Sequence, residues 1–356
     1  MPKQSSRPGF RDRDFIRTQE NFFFCVVGLH HPEDRVLAYV KYVPAEKGKW
    51  KDTRTYYQRV MPAYTIPNLL DTFNLLRNKH PQYLFHSEFY GIFMTAVPHD
   101  HIAQHYKPEE KLAQILRATN GDVLQEKLVS FVSLLSGKSG FATNCFGVTG
   151  SILLDIHNTK FSDIDLTIYG LRNSLQLKET LNGIIGEPDS PVRRLKGAML
   201  EEWCRKKVEH FPLSLDDAKR IYRRKWNIGL FDNVLFSIHP AQVEEELTER
   251  YGDKTFFSGG QVTISAVVAD DRESLFLPCV YRVRDVKVLE GECDGGSILE
   301  VVSYESLYDS MAETGEELIA KGKLEHVHDN RNGKEYYRVL VGSPEGKGKE
   351  YVKPIQ

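Results

Sequence analysis

One 25-residue segment, Phe146–Gly170, constrains the fold of this chain more than any other, because it joins a glycine turn to a strand that carries two acids. Phe146–Gly150 is typical of a short strand that runs into a turn. Ser151–His157 predicts a short helix. Asp163–Tyr169 alternates polar and apolar residues, which predicts a strand. The segment therefore predicts a strand–turn–helix–strand unit with polar groups at its centre.

The two acids of this segment point to cation chemistry. Asp163 and Asp165 are two residues apart, so on a strand they share one face and lie about 7 Å apart. Two carboxylates so placed repel each other unless a cation lies between them. Mg²⁺ prefers carboxylates together with substrate phosphates. Gly150 and Ser151, at the turn, let a phosphate approach the backbone closely.

The Gly150-Ser151 turn, the spacing to Asp163-Ile-Asp165, and helices predicted over 121–136 and 173–185 resemble the DNA polymerase beta-like nucleotidyltransferases. The whole chain also resembles uncharacterised archaeal proteins labelled as predicted nucleotidyltransferases. The resemblance implies that Asp163 and Asp165 hold Mg²⁺ and that Gly150 and Ser151 bind the β- and γ-phosphates of an NTP, expected to be ATP.

The chain departs from this family at the third acidic position. The family carries an acid on a later strand, in a hydrophobic-acid-hydrophobic pattern that is soon followed by Pro. The matching segment here is Val234–Pro240, and Ser237 stands in the place of the acid. His239 lies two residues on and therefore shares its face, so His239 either substitutes as a base or merely ends the strand.

A basic stretch supplies a second candidate surface. Residues 193–225 contain eleven Lys and Arg against five acids, a net charge of +6 in a chain of net charge −2. Arg220 and Arg224 are one helical turn apart, and so are Lys219 and Arg223. Such a helix face either holds a triphosphate or a nucleic-acid backbone, or is simply solvated.

The flanking regions complete an α+β architecture. Strands are predicted over 22–29, 36–43 and 83–97, the first two as a hairpin, and helices over 67–77, 108–118, 196–208 and 214–225. The expected domains are an N-terminal α/β region (1–108), a nucleotidyltransferase-type mixed sheet with helices (109–250) and a β-rich C-terminal domain (251–356). The pattern of the C-terminal domain predicts a small barrel or sandwich.

Cysteine spacing and the length of the apolar runs indicate the cellular compartment. The five cysteines show no CxxC spacing, which argues against a disulfide framework or a zinc finger and indicates a cytoplasmic protein. The apolar runs are too short to span a membrane, and residues 1–12 are expected to be a disordered lead-in without a signal peptide. His101 and His105 have zinc-type spacing, but surface histidines are the favoured interpretation.

The sequence thus predicts Mg²⁺-dependent nucleotidyl transfer from an NTP to an acceptor that it does not identify: an RNA end, a protein hydroxyl or a small alcohol. RNA is an expected partner, through residues 193–225 and the C-terminal β region, where aromatic and basic residues mix. The alternatives are a degenerate nucleotide- or RNA-binding module, favoured by Ser237, and an interaction scaffold.

Overall fold

The computed structural model describes residues 9–355, and within that range the protein is a mixed α+β structure with three sheets and seven α-helices. Residues 1–8 of the predicted disordered lead-in lie outside the described residues. The remainder of that prediction is wrong, because Asp12 is buried and its carboxylate accepts a hydrogen bond from the Gly28 amide. The helices are α1 (Ile66–Lys79), α2 (Pro108–Arg117), α3 (Val123–Ser139), α4 (Gly150–Leu153), α5 (Leu171–Gly186), α6 (Gly197–His210) and α7 (Leu215–Arg224).

The first sheet takes its strands from the N-terminal part of the chain. Its strands are β1 (Phe15–Thr18), β2 (Phe23–Val26), β3 (Arg35–Ala45), β4 (Trp50–Lys51), β5 (Tyr56–Arg59), β6 (Leu84–Ser87), β7 (Ile92–Pro98) and β8 (Ile102–Tyr106). Their order is β4-β5-β3-β2-β1-β8, and β7 joins β3 and β6. The predicted hairpin is present as antiparallel β2 and β3.

The single strand predicted over 83–97 is instead the β6–β7 hairpin. Gly91, in the turn, has a φ of 62° and its amide donates to Ser87 O, so the chain reverses within the segment predicted as one strand. Glycine enters this region of φ without the steric penalty that other residues meet, and this property makes the turn possible.

Side-chain alternation gives the first sheet two buried faces. Ile16, Phe24 and Val26 pack with α1 in one apolar cluster. Phe15 and Phe23 point the other way and pack with Leu153, Leu154 and Ile156, which follow the Gly150 turn. The second face therefore docks the first sheet directly onto the segment that carries the candidate site.

The second sheet is built around the predicted Asp-x-Asp strand. Its strands are β9 (Phe146–Val148), β10 (Ile164–Tyr169), β11 (Val192–Arg193), β12 (Ile228–Phe231) and β13 (Val234–Ala241), in the order β11-β12-β13-β10-β9. Strands β10 and β13 are parallel, and the other neighbours are antiparallel. Alternate residues of β10 and β13 are buried against α3 and α5, and this packing holds the two strands side by side.

Most helices lie within a few residues of their predicted bounds. Helix α3 begins with a capping box between Asp122 and Gln125 and ends at Gly140, whose φ is 75°. The short helix predicted over 151–157 is wrong in extent, since α4 spans only Gly150–Leu153. Asp155 adopts a φ of 55°, which is incompatible with a continuing right-handed helix.

The third sheet accounts for the β-rich C-terminal part. Its strands are β14 (Lys254–Asp270), β15 (Cys279–Glu290), β16 (Ile298–Ser303), β17 (Glu317–Asp329), β18 (Glu335–Val341) and β19 (Tyr351–Pro354). The order is β14-β15-β16-β18-β17-β19, and β14 also pairs with β17, so the pairings return to the first strand. Leu213 and Ile221, beside and within α7, are buried against this sheet. No helix among the described residues is long and apolar enough to cross a membrane.

Candidate functional site

Gly150 lies directly against the carboxylate of Asp165. Its φ is 68°, and a Cβ at this position would come within 3.0 Å of Asp165 Oδ2, closer than real Cβ atoms approach. The amide of Thr149 donates to the backbone carbonyl of Asp165 at 2.9 Å, which holds the turn to β10. Only a glycine therefore fits between the turn and the acid.

The predicted placement on a strand facing the turn is confirmed for Asp165, whereas the strand begins one residue after Asp163. Asp165 lies in β10, and Asp163 immediately precedes the first residue of that strand. Asp163 is exposed, whereas Asp165 is partly buried beneath the turn. Ser151 is buried, and its hydroxyl contacts that of Ser162 at 3.4 Å. Because α4 is only four residues long, the close approach allowed by Gly150 matters more here than a helix dipole.

The two carboxyl groups have opposite pKa shifts. The negative charge of Asp165, followed by desolvation of the carboxyl group by the surrounding protein atoms, raises the pKa of Asp163 to about 7. Burial alone would raise the pKa of Asp165 too, but His239, Lys41 and Ser237 outweigh it and lower that pKa below its usual range. The pair thus carries one firmly ionised carboxylate and one whose proton a cation would readily displace.

Ser237 and His239 lie where the alternation predicts. Strand β13 pairs in parallel with β10, with Ser237 beside Asp165 and His239 beside Thr167. Phe236 and Ile238 face the opposite side and are buried in the core. The predicted register and the predicted split between cleft-facing and core-facing residues are both confirmed.

Hydrogen-bond direction assigns the protons of this network. Ser237 Oγ donates to Asp165 Oδ1 and lies 2.8 Å from His239 Nε2. Because the serine proton is committed to the carboxylate, His239 Nε2 must donate to Ser237 Oγ. The lone pair of the neutral ring then belongs to Nδ1. Burial, followed by the charge of Arg13, lowers the pKa of His239, which favours this neutral form.

The first sheet contributes three cations near this site that the sequence analysis did not identify. Lys41 and Arg59 lie on its second face, and their charges lower the pKa of Asp163. Arg13 pairs with Asp12 at 3.1 Å, and its backbone carbonyl accepts from Thr149 Oγ1 at 2.7 Å, one residue before Gly150. No local pattern marks these residues, because they reach the site only through the docking of one sheet on another.

Two tyrosines extend this surface away from the acids. The rings of Tyr39 and Tyr64 meet edge to face at 5.7 Å between centroids. Both rings also line a cavity of about 370 Å³ between the first and third sheets. The candidate site therefore adjoins a larger internal space that no sequence motif indicated.

The predicted basic face of α7 is only partly available. Arg224 pairs with Glu316 at 2.8 Å, and Lys225 is buried and pairs with Asp309 at 2.7 Å. Arg220 is exposed, as are Lys219 and Arg223. Neither Arg220 nor Arg224 forms an ion pair or hydrogen bond with the acid pair within the described range. Their assignment to a triphosphate stays a prediction, and Lys225 has a structural role.

The histidines with zinc-type spacing do not lie on a helix. His101 ends a short 3₁₀ turn, and His105 lies in β8, where Nε2 is 2.7 Å from Asp14 Oδ2. The favoured interpretation as surface histidines is wrong for His105, whose side chain is largely covered. Among residues 9–355 there is no cluster of three or more His, Cys, Asp or Glu arranged to hold a metal ion.

Comparison with known proteins finds a full-length relative. The chain is 30% identical over 346 residues to the uncharacterized protein MJ1086 of Methanocaldococcus jannaschii, an alignment that covers 96% of this chain and 98% of that protein. No family model matches the chain. The aligned region therefore takes in nearly the whole of both chains.

Proposed function

The chain belongs to the same family as MJ1086 of Methanocaldococcus jannaschii, and we propose that it transfers a nucleotidyl group from an NTP to an acceptor in a Mg²⁺-dependent reaction. The observation that carries the proposal is the contact between Gly150 and Asp165. A turn too tight for any side chain is held against a carboxylate whose neighbour, Asp163, is kept partly protonated. Such an arrangement can bind a phosphate at the turn and a cation at the carboxylates at the same time.

The donor set fits Mg²⁺. Asp163 is exposed and its pKa of about 7 reflects repulsion by Asp165, so binding a divalent cation would relieve an unfavourable interaction. Two carboxylates suffice, because Mg²⁺ keeps several waters and completes its shell with substrate phosphates. When bound, the ion neutralises charge on the phosphates and polarises the phosphorus that is attacked.

The residues of the chain then take defined roles. Gly150 and Ser151 admit the β- and γ-phosphates, and Asp163 and Asp165 hold the metal. An acceptor hydroxyl attacks the α-phosphorus, the bond from that phosphorus to the β-bridging oxygen breaks, and pyrophosphate leaves. His239 Nε2 donates to Ser237, which orients Asp165, so the hydroxyl proton goes to solvent or to Nδ1 of His239.

A labelling experiment tests the proposal. The full chain is incubated with each α-labelled NTP, total RNA and cell protein, in MgCl₂ or in EDTA, and label transfer and pyrophosphate are measured. We expect Mg²⁺-dependent transfer that the double variant Asp163→Asn/Asp165→Asn abolishes. Asp216→Asn, at an exposed position on α7, serves as the matched control. Transfer that persists in the double variant, or its absence with every NTP, would contradict the proposal.

The double variant should fold normally. Removing two mutually repelling charges is expected to leave the melting temperature of the metal-free protein unchanged or slightly raised. A marked fall in that temperature would show instead that the two acids serve the fold. The melting temperature of Asp216→Asn shows how large a change a single substitution at an exposed position produces.

Ser237 favours a second candidate, a nucleotide- or RNA-binding module without turnover. A serine hydroxyl is a weaker metal ligand than a carboxylate and is not a base unaided. If Ser237→Asp creates Mg²⁺-dependent pyrophosphate release in an inactive protein, the binding module is correct. If the native protein is active and the substitution lowers activity, the transferase is correct. RNA binding through α7 and the third sheet belongs to either candidate.

A further inference from the structure

A β-bulge directs Lys41 towards the acid pair. In the pairing of β2 with β3, Phe23 opposes Tyr42 and Phe24 opposes Val40, so Lys41 is the extra residue. A bulge of this kind turns consecutive side chains to one face of the sheet. Val40 packs on the α1 face, whereas Tyr42 packs on the face that contacts the segment after Gly150.

Strand pairing brings Arg59 to the same face. Arg59 of β5 lies directly opposite Tyr42 of β3, and residues paired in this way project to one side. Its guanidinium lies over the ring of Tyr64, 4.6 Å from the centroid. The bulge and the pairing thus place two cations together on the wall that faces β10.

Lys41 is buried and Arg59 is partly buried, and neither has an anionic partner among the described residues. Lys41 is only 9% exposed, and Nζ lies 5.2 to 5.8 Å from the centroids of the Phe15, Tyr42 and Tyr64 rings. Neither Lys41 nor Arg59 has a carboxylate within ion-pair distance in the described part of the chain. Arg59 Nε and Tyr64 Oη are buried and lack a hydrogen-bond partner there.

The energetics of this arrangement favour the binding of an anion. Burying a cation costs several kcal/mol even after relaxation. A cation–π contact returns only about 0.5–2 kcal/mol. A cation and a hydroxyl that are both buried and unsatisfied are therefore unfavourable in the free protein, and an oxyanion would satisfy Lys41, Arg59 and Tyr64 at once.

Asp163 and Asp165 lie too far from Lys41 and Arg59 to form ion pairs with them, but close enough for the positive charges to change the pKa values of the two acids. Asp165 lies beyond ion-pair distance from Lys41 and Arg59, yet the charge of Lys41 helps to lower its pKa. The Gly150 turn is tied to the same wall through the hydrogen bond from Thr149 to Arg13 O. An anion between the two walls would meet the turn on one side and the cations on the other.

We propose that Lys41 and Arg59, with the Tyr64 hydroxyl, form a polyphosphate-binding site contributed by the first sheet and facing the acid pair. The identity of the ligand as the triphosphate of an NTP rests on the proposed function, whereas the anion site itself does not. The first sheet is then part of the substrate site and not only a flanking domain.

Inorganic tripolyphosphate in divalent-free buffer is the direct probe, with affinity measured by titration calorimetry. We expect the full chain to bind it, and Lys41→Met and Arg59→Met each to weaken binding at least tenfold. Lys41→Arg should retain most of the affinity because it keeps the charge. Lys51→Met is the matched control, since Lys51 also lies over a tyrosine ring but is exposed on the same sheet.

Two measurements separate binding from folding and from the acid pair. Removing an unpaired buried cation should leave the melting temperature unchanged or raised, so a loss of binding without a fall in that temperature supports a ligand role. Asp163→Asn/Asp165→Asn should bind tripolyphosphate at least as tightly as the native chain. If Lys41 and Arg59 were only counter-ions of the acids, their substitution would not change this metal-free binding, and the proposal would be overturned.

The source of the phosphate is decided by competition. We expect MgATP to compete with tripolyphosphate, and a single-stranded RNA oligonucleotide with a 3′-hydroxyl and no 5′-phosphate not to compete. Absence of tripolyphosphate binding, or displacement by that oligonucleotide alone, would refute a triphosphate site. Binding that depends on Lys41 and Arg59 in a protein that transfers no nucleotide would leave the anion site standing and refute the proposed function.

Discussion

Gly150→Ala tests the contact on which the candidate site depends. The substitution adds one methyl group at a position where φ is 68° and where Asp165 Oδ2 occupies the space that the Cβ would need. Gly140 is a matched control, because it has a φ of 75° and no atom within 4 Å of an added Cβ. The two glycines share the backbone requirement and differ in the contact.

The expected magnitudes follow from this difference. A non-glycine residue in the left-handed region costs about 1–2 kcal/mol, and both substitutions carry that term. Forcing a methyl group into occupied space adds about 1–3 kcal/mol at Gly150 only. The free energy of unfolding should therefore fall by about 1–2 kcal/mol for Gly140→Ala and by about 2–5 kcal/mol for Gly150→Ala.

Urea denaturation of both variants, alone and combined with Asp165→Ala, isolates the contact term. In the Asp165→Ala background the extra loss at Gly150 should vanish, a coupling of about 1–3 kcal/mol. Gly150→Ala should also abolish Mg²⁺-dependent nucleotide binding, whereas Gly140→Ala should not. Equal losses for the two glycine variants, with no coupling to Asp165, would refute the inference that the turn and the carboxylate are fitted to each other.

Three further outcomes are expected. The pKa of Asp163 is raised to about 7, so the folded protein holds this proton more tightly than the unfolded chain. In divalent-free buffer the free energy of unfolding should therefore fall as pH rises from about 4 to about 7. Urea titrations of Asp163→Asn should lack this part of the decline. Ser237→Ala removes the hydroxyl that donates to Asp165, so NMR titration should show a higher carboxyl pKa, and stability should fall by about 1.5 kcal/mol. Lys225→Met leaves a buried carboxylate unpaired and should cost about 3–5 kcal/mol, whereas the exposed Arg220→Met should stay within about 0.5 kcal/mol, both by thermal denaturation.

Local patterns predicted the second sheet well because its decisive signals lie within a few residues of each other. The alternation over Asp163–Tyr169 gives β10, and the pattern over Val234–Pro240 gives β13 with its cleft-facing Ser237. Helix α3 carries its own start and stop signals at Asp122 and Gly140. The short helix after Gly150 was overextended, because a positive φ at Asp155 leaves no trace in hydrophobic periodicity.

Charge patterns were less informative than apolar ones. The run of basic residues over 193–225 suggested one ligand-binding face, but the structure divides it between an ion pair, a buried lysine and exposed side chains. A charged residue acquires its role from its partner. Glu316 and Asp309, the partners here, lie more than 80 residues away along the chain.

The sequence by itself determined the strand that carries Asp165, the glycine turn and the strand bearing Ser237, because each is a property of neighbouring residues and backbone period. Tertiary structure alone decided what surrounds them. Packing of the first sheet on the segment after Gly150 brings Lys41 and Arg59 opposite β10, across more than 100 residues of chain. Such contacts depend on the packing of apolar faces, because this packing determines which surfaces meet. The polar residues on those surfaces show no periodic pattern in the sequence that would predict the contact.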